Sequence, residues 1–313
     1  MIDLLFPSIS AVVSLSLLAM VFALILSVAK IKLHVEKDPR IEKVLSALPG
    51  ANCGACGMPG CSAYATRIVE ENYALNLCPA GGSESAVKIA EIMGVEAGNV
   101  GPALIARVHC QGGIAETTRQ FVYEGPKSCA AAQGVMGGFK VCSYGCLGLG
   151  DCVTACPFDA IAMGEKGLPV VDGEKCVGCG KCVSACPRNI ISLVPEKFKL
   201  HVLCMNKEKA PVMKKGCSVG CIGCKLCEKA CKEVQIKPQT KKNPALNPAD
   251  VIPAITVNNF CASIDYNLCI GCLKCVQVCP VPVIAPIEKS NKYKEAHAPA
   301  GGNVEAAQPE AAV

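Results

Sequence analysis

From Leu4 to Ala29 the chain carries no charged residue, and the run LLFPSISAVVSLSLLAMVFALILSVA exceeds the about 20 residues a helix needs to cross a bilayer. A cleavable signal peptide is the rival reading. The chain opens Met1-Ile2-Asp3, without a basic n-region, and the apolar stretch is long for an h-region. The pattern therefore predicts a retained anchor helix over 1–32. Asp3 precedes it, while Lys30, Lys32, Lys37, Arg40 and Lys43 follow. Positive flanks stay on the cytoplasmic side, so the expectation is a single-pass protein of the cell (inner) membrane with the bulk of the chain in the cytoplasm. No ionisable residue interrupts the run, so this chain alone offers no ion path. Further on, apolar positions near Tyr64, Ile68, Val69 and Tyr73 predict a helix over Ser62–Ala74. The polar, Pro- and Asn-containing stretch 238–253 predicts a loop. The Ala-, Glu-, Gly- and Pro-rich end, 288–313, predicts a disordered tail.

Between these segments the 25 cysteines dominate. Cys176, Cys179, Cys182 and Cys186 precede Pro187, and Cys269, Cys272, Cys275 and Cys279 precede Pro280. This C-x2-C-x2-C-x3-C-P run is the bacterial ferredoxin signature, in which the fourth thiolate ligates the neighbouring cluster. Disulfides would need an oxidising compartment. Zinc ribbons use paired C-x2-C units rather than this triple step with a trailing Cys-Pro. Trp is absent and aromatics are few, so small domains with thin cores would need metal staples.

Two larger groupings follow. Cys53, Cys56 and Cys61 sit in a Gly/Pro loop, and Cys78-Pro79 closes the set after the helix; the expectation is one four-iron module over 33–95. Then Cys129, Cys142, Cys146, Cys152 and Cys156 recur, each 75 residues later, as Cys204, Cys217, Cys221, Cys227 and Cys231. A fixed period marks duplicated units. The fold class expected is α+β: an anchor helix, the four-cysteine module, and two tandem 2[4Fe-4S] ferredoxin-like units over 96–200 and 201–287. Crossed ligation pairs Cys142, Cys146 and Cys152 with Cys186, and Cys176, Cys179 and Cys182 with Cys156. In the second unit it pairs Cys221, Cys224 and Cys227 with Cys279, and Cys269, Cys272 and Cys275 with Cys231. Leu149 stands where Cys224 stands in the repeat, and Cys142 is the natural substitute. Cys217 competes with Cys224 as a ligand. Cys110, Cys129, Cys204 and Cys261 are left over, either as small buried hydrophobes or as parts of a sixth cluster. The cofactor expectation is about five [4Fe-4S] clusters, or six if the leftovers hold one.

The formal charge of +5 changes meaning with these cofactors. An oxidised four-iron cluster with four thiolates carries about −2, so five would bring the chain to about −5. Basicity is thus no argument for nucleic acid, and the aromatic interleaving of single-strand binders is missing. No G-x-G-x-x-G opens a dinucleotide fold, and no constellation suggests acid–base or nucleophilic catalysis. Lysines crowd the second unit (Lys197, Lys199, Lys207, Lys209, Lys214, Lys215, Lys225, Lys229, Lys232, Lys237, Lys241 and Lys242). They form either a solvated face or a dock for an acidic soluble ferredoxin.

The anchor, the segment Leu48-Pro49-Gly50-Ala51-Asn52-Cys53-Gly54-Ala55-Cys56-Gly57 through Cys78-Pro79, and Gly145-Cys146-Leu147-Gly148-Leu149-Gly150-Asp151-Cys152 leading to Cys156-Pro157 resemble the RnfB family, the iron–sulfur component of the Rnf ion-translocating electron transport complexes. The resemblance implies a multi-subunit membrane complex coupling electron transfer between reduced ferredoxin and NAD to sodium or proton movement. The RnfB component would receive the ferredoxin electrons. Flavin, the NAD site and the ion path would belong to other Rnf subunits. The doubled unit resembles the longer members of the family. The alternatives are a membrane-anchored polyferredoxin serving a hydrogenase or carbon-monoxide system, and a zinc-stabilised scaffold.

Overall fold

The computed structural model describes residues 2–32, 38–98, 101–198, 200–242 and 251–286. The expected tail over 288–313 lies outside the described residues. The apolar amino-terminal run forms one helix, α1 (Ile2–Lys32). Its apolar side chains are exposed along the described stretch, Leu15, Leu24 and Leu26 among them. Among the described residues no helix is long and apolar enough to cross a membrane; in α1 the continuous stretch with described side chains is 13–29.

Three helices make the next layer. In α2 (Pro39–Ala47) Pro39 opens the first turn and the Asp38 carboxylate caps it, accepting from the Arg40 N–H at 2.8 Å. α2 packs on α3 (Cys61–Glu71) and α4 (Gly82–Met93). Their shared core is Ile41, Val44, Leu48, Tyr64, Ala65, Ile68, Val69 and Ile89. The helix expected over Ser62–Ala74 ends early, at Asn72, whose left-handed φ of 51° stops it.

Two units of one plan follow. The first runs β1 (Leu104–Val108), α5 (Cys129–Gly134), α6 (Asp151–Thr154), β2 (Ile161–Met163), β3 (Pro169–Val171), α7 (Lys181–Ala185) and β4 (Ile191–Pro195). The second runs β5 (Leu200–Val202), α8 (Ala210–Gly216), α9 (Leu226–Lys242), β6 (Ile255–Asn258), β7 (Cys261–Ile264), α10 (Lys274–Gln277) and β8 (Ile284–Pro286). In each unit the outer strands pair antiparallel, Val108 opposite Ile191 and Val202 opposite Ile284, and the inner strands form a hairpin, β2–β3 or β6–β7. Setting aside α5 and α8, which precede the first cluster loop, the order is β-α-β-β-α-β, the ferredoxin-like arrangement. α9 extends through Pro238 to Lys242, where the sequence predicts a loop. A proline forfeits one intrahelical bond and strains the turn before it, and the Lys- and Gln-containing residues around it favour helix.

Candidate metal centres

Four loops of one shape carry most of the cysteines. In each, the third and fifth residues have positive φ: Gly148 and Gly150, Gly178 and Gly180, Gly223 and Lys225, Gly271 and Leu273, all between 59° and 88°. Successive left-handed residues curl the backbone and turn its N–H groups inward, making an anion-binding nest. A helix follows each loop, short in three cases and the long α9 in the fourth, and delivers the last sulfur of the set. The next cysteine lies one helical turn further on, as Cys227 and Cys231 do on α9, and so reaches a different cavity.

Five cavities are each lined by four cysteines. Cys156, Cys176, Cys179 and Cys182 line one. Cys221, Cys224, Cys227 and Cys279 line a second, and Cys231, Cys269, Cys272 and Cys275 a third. The fourth is lined by Cys129, Cys146, Cys152 and Cys186, and the fifth by Cys110, Cys142, Cys204 and Cys217. In that order their empty volumes, counting space open to solvent, are ≈ 290, 320, 370, 390 and 330 Å³. Among the described residues no three His, Cys, Asp or Glu side chains converge tightly enough to hold one metal ion. Thiolates on a single zinc would lie about 3.8 Å apart, given the Zn–S bond of about 2.3 Å. Rings of sulfur around a cavity fit a multi-iron cluster with a thiolate at each corner.

The structure departs from the sequence expectation at one place. Cys142, expected with Cys146, Cys152 and Cys186, lines the fifth cavity instead, and Cys129 takes its place in the fourth. The reason is Asp151. Its carboxylate accepts from the Cys129 N–H at 2.9 Å, the Ala130 N–H at 3.0 Å and the Ser128 hydroxyl at 3.0 Å, fixing the start of α5 against the loop. Burial pushes the Asp151 carboxyl up, but these three bonds outweigh it and hold it below the usual carboxylate range. The sequence signal was the acid itself. The equivalent loop position holds Lys181, Leu226 or Lys274 in the other three loops. Likewise Cys217 lines the fifth cavity while Cys224 stays with Cys221, Cys227 and Cys279.

In the helical module, Gly54 and Gly57 adopt φ of 73° and 81° around Cys53 and Cys56. The side-chain amide oxygen Oδ1 of Asn52 accepts the Cys61 N–H at 2.8 Å. Burial raises the Cys78 thiol, and Cys53, Cys61 and Cys56 push it further in the same direction, so the four sulfurs share one neighbourhood. Tyr64, 1% exposed, ties the returning chain down: its hydroxyl donates to the Ala74 carbonyl at 2.7 Å and accepts the Leu77 N–H at 3.2 Å, one residue before Cys78. Tyr64→Phe is expected to cost the module about 1–3 kcal/mol, because it leaves both groups without their partner. Thermal unfolding of the loaded protein checks this, and an unchanged melting temperature would rule it out.

Elsewhere burial pushes Cys146, Cys182 and Cys227 up to about 12, and Cys152, Cys217 and Cys275 up to about 11. These groups are thiols at neutral pH until a metal displaces their protons. Backbone donors already point at sulfur: the Ala106 N–H at Cys176 and the Ala160 N–H at Cys156, both at 3.4 Å. Burial lowers the Lys140 ammonium, and the sulfurs of Cys110 and Cys146 oppose that shift.

Rings of four cysteines on doubled β-α-β-β-α-β units define a multi-cluster iron–sulfur electron carrier of the ferredoxin class. Sequence families agree. One described as a putative Fe-S cluster matches residues 48–80, 4Fe-4S binding domains match 142–160 and 169–192, and a 4Fe-4S dicluster domain matches 220–283. The B component of the Na(+)-translocating ferredoxin:NAD(+) oxidoreductase complex of Acetobacterium woodii is 44% identical over 271 residues, 87% of this chain and 75% of that protein. Its counterpart in the ion-translocating oxidoreductase complex of Methanosarcina acetivorans is 40% identical, over 88% of this chain and 97% of that protein. The counterpart in the proton-translocating ferredoxin:NAD(+) oxidoreductase complex of Clostridium ljungdahlii is 38% identical, over 88% and 91%. The chain belongs to the RnfB family of the ion-translocating oxidoreductase complexes.

Proposed function

We propose that this chain is the membrane-anchored electron-transfer subunit of an ion-translocating ferredoxin:NAD+ oxidoreductase. It takes electrons from soluble reduced ferredoxin and hands them to membrane partners that carry flavin and the NAD site. The observation that carries this reading is the series of four-sulfur cavities, together with the family to which the chain belongs. Five [4Fe-4S] clusters are assigned: to Cys53, Cys56, Cys61 and Cys78; to Cys156, Cys176, Cys179 and Cys182; to Cys129, Cys146, Cys152 and Cys186; to Cys221, Cys224, Cys227 and Cys279; and to Cys231, Cys269, Cys272 and Cys275. When bound, such clusters accept and release single electrons at low potential. The chain's residues hold the sulfurs, direct N–H groups at them and limit access of water. α1 serves as the anchor, on the strength of the uncharged run from Leu4 to Ala29.

Exposure supports the second unit as the place where electrons enter. Cys224 and Cys272 are exposed, whereas no cysteine of the first unit is. Lys225, Lys229 and Lys274 are in the same loops and helices, with Lys207, Lys209, Lys214 and Lys215 on the preceding segment. This lysine-rich face suits an acidic ferredoxin. The rate of reduction by ferredoxin is expected to fall about tenfold between about 50 and 500 mM salt, because the Debye length shrinks below contact range; stopped-flow rates that ignore ionic strength would count against this dock. Anaerobic purification with metal analysis tests the whole reading. The expected material is brown, bleached by dithionite, and gives electron paramagnetic resonance signals after reduction. Colourless protein holding only zinc would end it.

A further inference from the structure

The two ferredoxin-like units meet across the cavity lined by Cys110 and Cys142 of the first and Cys204 and Cys217 of the second, a cavity that neither unit needs for its own two clusters. Its empty volume of ≈ 330 Å³ falls within the 290–390 Å³ of the other four. The contributions are symmetric. Cys110 lies two residues after β1, and Cys204 two residues after β5. Each sulfur accepts the N–H of the first cysteine of its own unit's loop: Cys146 to Cys110 at 3.3 Å, and Cys221 to Cys204 at 3.3 Å. Cys142 and Cys217 each stand four residues before that same loop cysteine. The duplicated fold thus presents matching sulfur pairs to one point.

The surroundings are those of bound thiolates rather than of packed thiols. Asn206, 2% exposed, directs its N–H at the Cys204 sulfur and its side-chain amide at the Cys142 sulfur, both at 3.5 Å. Lys140 is 4% exposed and donates to the Gly112 carbonyl at 3.2 Å. None of the four ion pairs among the described residues includes it. A buried ammonium is costly without opposite charge, and a cluster with a net charge of about −2 supplies it. Gly112 lets the backbone come close: a methyl on its Cα would sit 3.1 Å from the Cys217 sulfur.

We propose that Cys110, Cys142, Cys204 and Cys217 hold a sixth [4Fe-4S] cluster, shared between the two units. The proposal rests on the iron–sulfur reading of the other five sites. The shared site adjoins the Cys146 set through Cys110 and the Cys221 set through Cys204, and therefore connects the carriers of one unit with those of the other. An electron supplied by reduced ferredoxin or dithionite to one unit would reduce the shared site, leaving its donor oxidised, and pass on to the oxidised neighbour beyond.

The test uses the full chain purified and reconstituted anaerobically in detergent. Native mass spectrometry of the wild type is expected to count six clusters, and iron and acid-labile sulfide about 24 each per chain, against about 20 if the site is empty. The double variant Cys142→Ser/Cys217→Ser takes one ligand from each unit and is expected to lose about four irons while the five other clusters persist. Cys261→Ser is the control. Its thiol bonds the Cys204 carbonyl at 3.1 Å and the sulfurs of Cys204 and Cys221, a donor role that the serine hydroxyl keeps, but it lines none of the five cavities, and it should keep the wild-type iron. Five clusters in the wild type, or an unchanged count in the double variant, overturns the proposal. If the double variant does not fold, the wild-type count decides. A wild type without iron overturns the reading of all the sites, a different failure from a count of five.

Discussion

Chelating the iron from oxidised protein is expected to unfold both ferredoxin-like units while the helical module over residues 39–93 keeps its fold. Core composition drives the difference. Of the twelve residues at the heart of the second unit, four are cysteines: Cys221, Cys227, Cys231 and Cys275. In the first unit Cys146, Cys152 and Cys182 are three of eight. The eight-residue core of the helical module contains none. Strands of three to five residues around an emptied sulfur ring bury too little apolar surface to offset chain entropy. In such domains metal binding energy is folding energy. Hydrogen exchange measured on the loaded and the chelated protein should show protection in β1, β4, β5 and β8 falling by about 10³-fold or more, equivalent to about 4 kcal/mol. Protection in α3 and α4 should stay within about tenfold of its starting value. Equal loss everywhere, or none, would show that the sulfurs are not the staples.

What the sequence disclosed and what it concealed divide along the range of the interactions. The C-x2-C-x2-C loops are local: spacing sets which sulfurs share a loop, and left-handed residues such as Gly178 and Gly271 set its curl. Hence the duplication and the sets centred on Cys176, Cys221 and Cys269 could be read directly from spacing, and the structure brings the same residues together. The place of Cys129 is tertiary. Leu149 leaves a corner of the first loop without sulfur, and a side chain from outside the loop fills it, because Asp151 grips the segment that carries it. The constant offset of 75 misled for a related reason. It aligns Cys129 with Cys204, yet the residue that matches Cys204 in the fold is Cys110. The chain between β1 and α6 is longer than that between β5 and α9, so an offset fixed on the loops cannot carry back to the first strands. The proposed membrane anchor is legible only as the hydropathy of the run from Leu4 to Ala29, not through any contact that α1 makes.

The geometry also gives the carriers an order. Cys53 contributes to raising the Cys179 thiol, and a methyl on Gly54 would lie 4.0 Å from the Lys181 ammonium, so the helical module rests against the outer site of the first unit. Cys152, from the neighbouring site of that unit, adds to the largely burial-driven upward shift of the Cys182 thiol. With one exposed sulfur in each of the second unit's two sets, Cys224 and Cys272, and α1 beside the helical module in sequence, the proposed route runs from the solvent-facing lysines toward the membrane.

Asp151→Ala should abolish the site formed by Cys129, Cys146, Cys152 and Cys186. The substitution removes acceptors from two backbone N–H groups and one hydroxyl, each bond to a charged group being worth about 1.5 kcal/mol or more. Without them the start of α5 loses its tie to the cluster loop, and Cys129 is held only by its packing with Ala132, Phe139 and Leu147 and by the Arg188–Gln133 bond further along α5. A cluster with three thiolates loses its unsupported iron first. Iron should therefore fall by between about one and four per chain, and one set of electron paramagnetic resonance signals should vanish or convert to that of a three-iron species. Asp151→Asn, which keeps one acceptor, should lie between. Asp151 touches no sulfur in the second unit, so exchange protection in β5 and β8 should be unchanged, which separates the loss of one ligand from general unfolding. Cys129→Ser should reproduce the Asp151→Ala phenotype. If instead Asp151→Ala and Cys129→Ser both keep wild-type iron and spectra, the fourth ligand is not Cys129, and Cys142 regains the place that its spacing suggested.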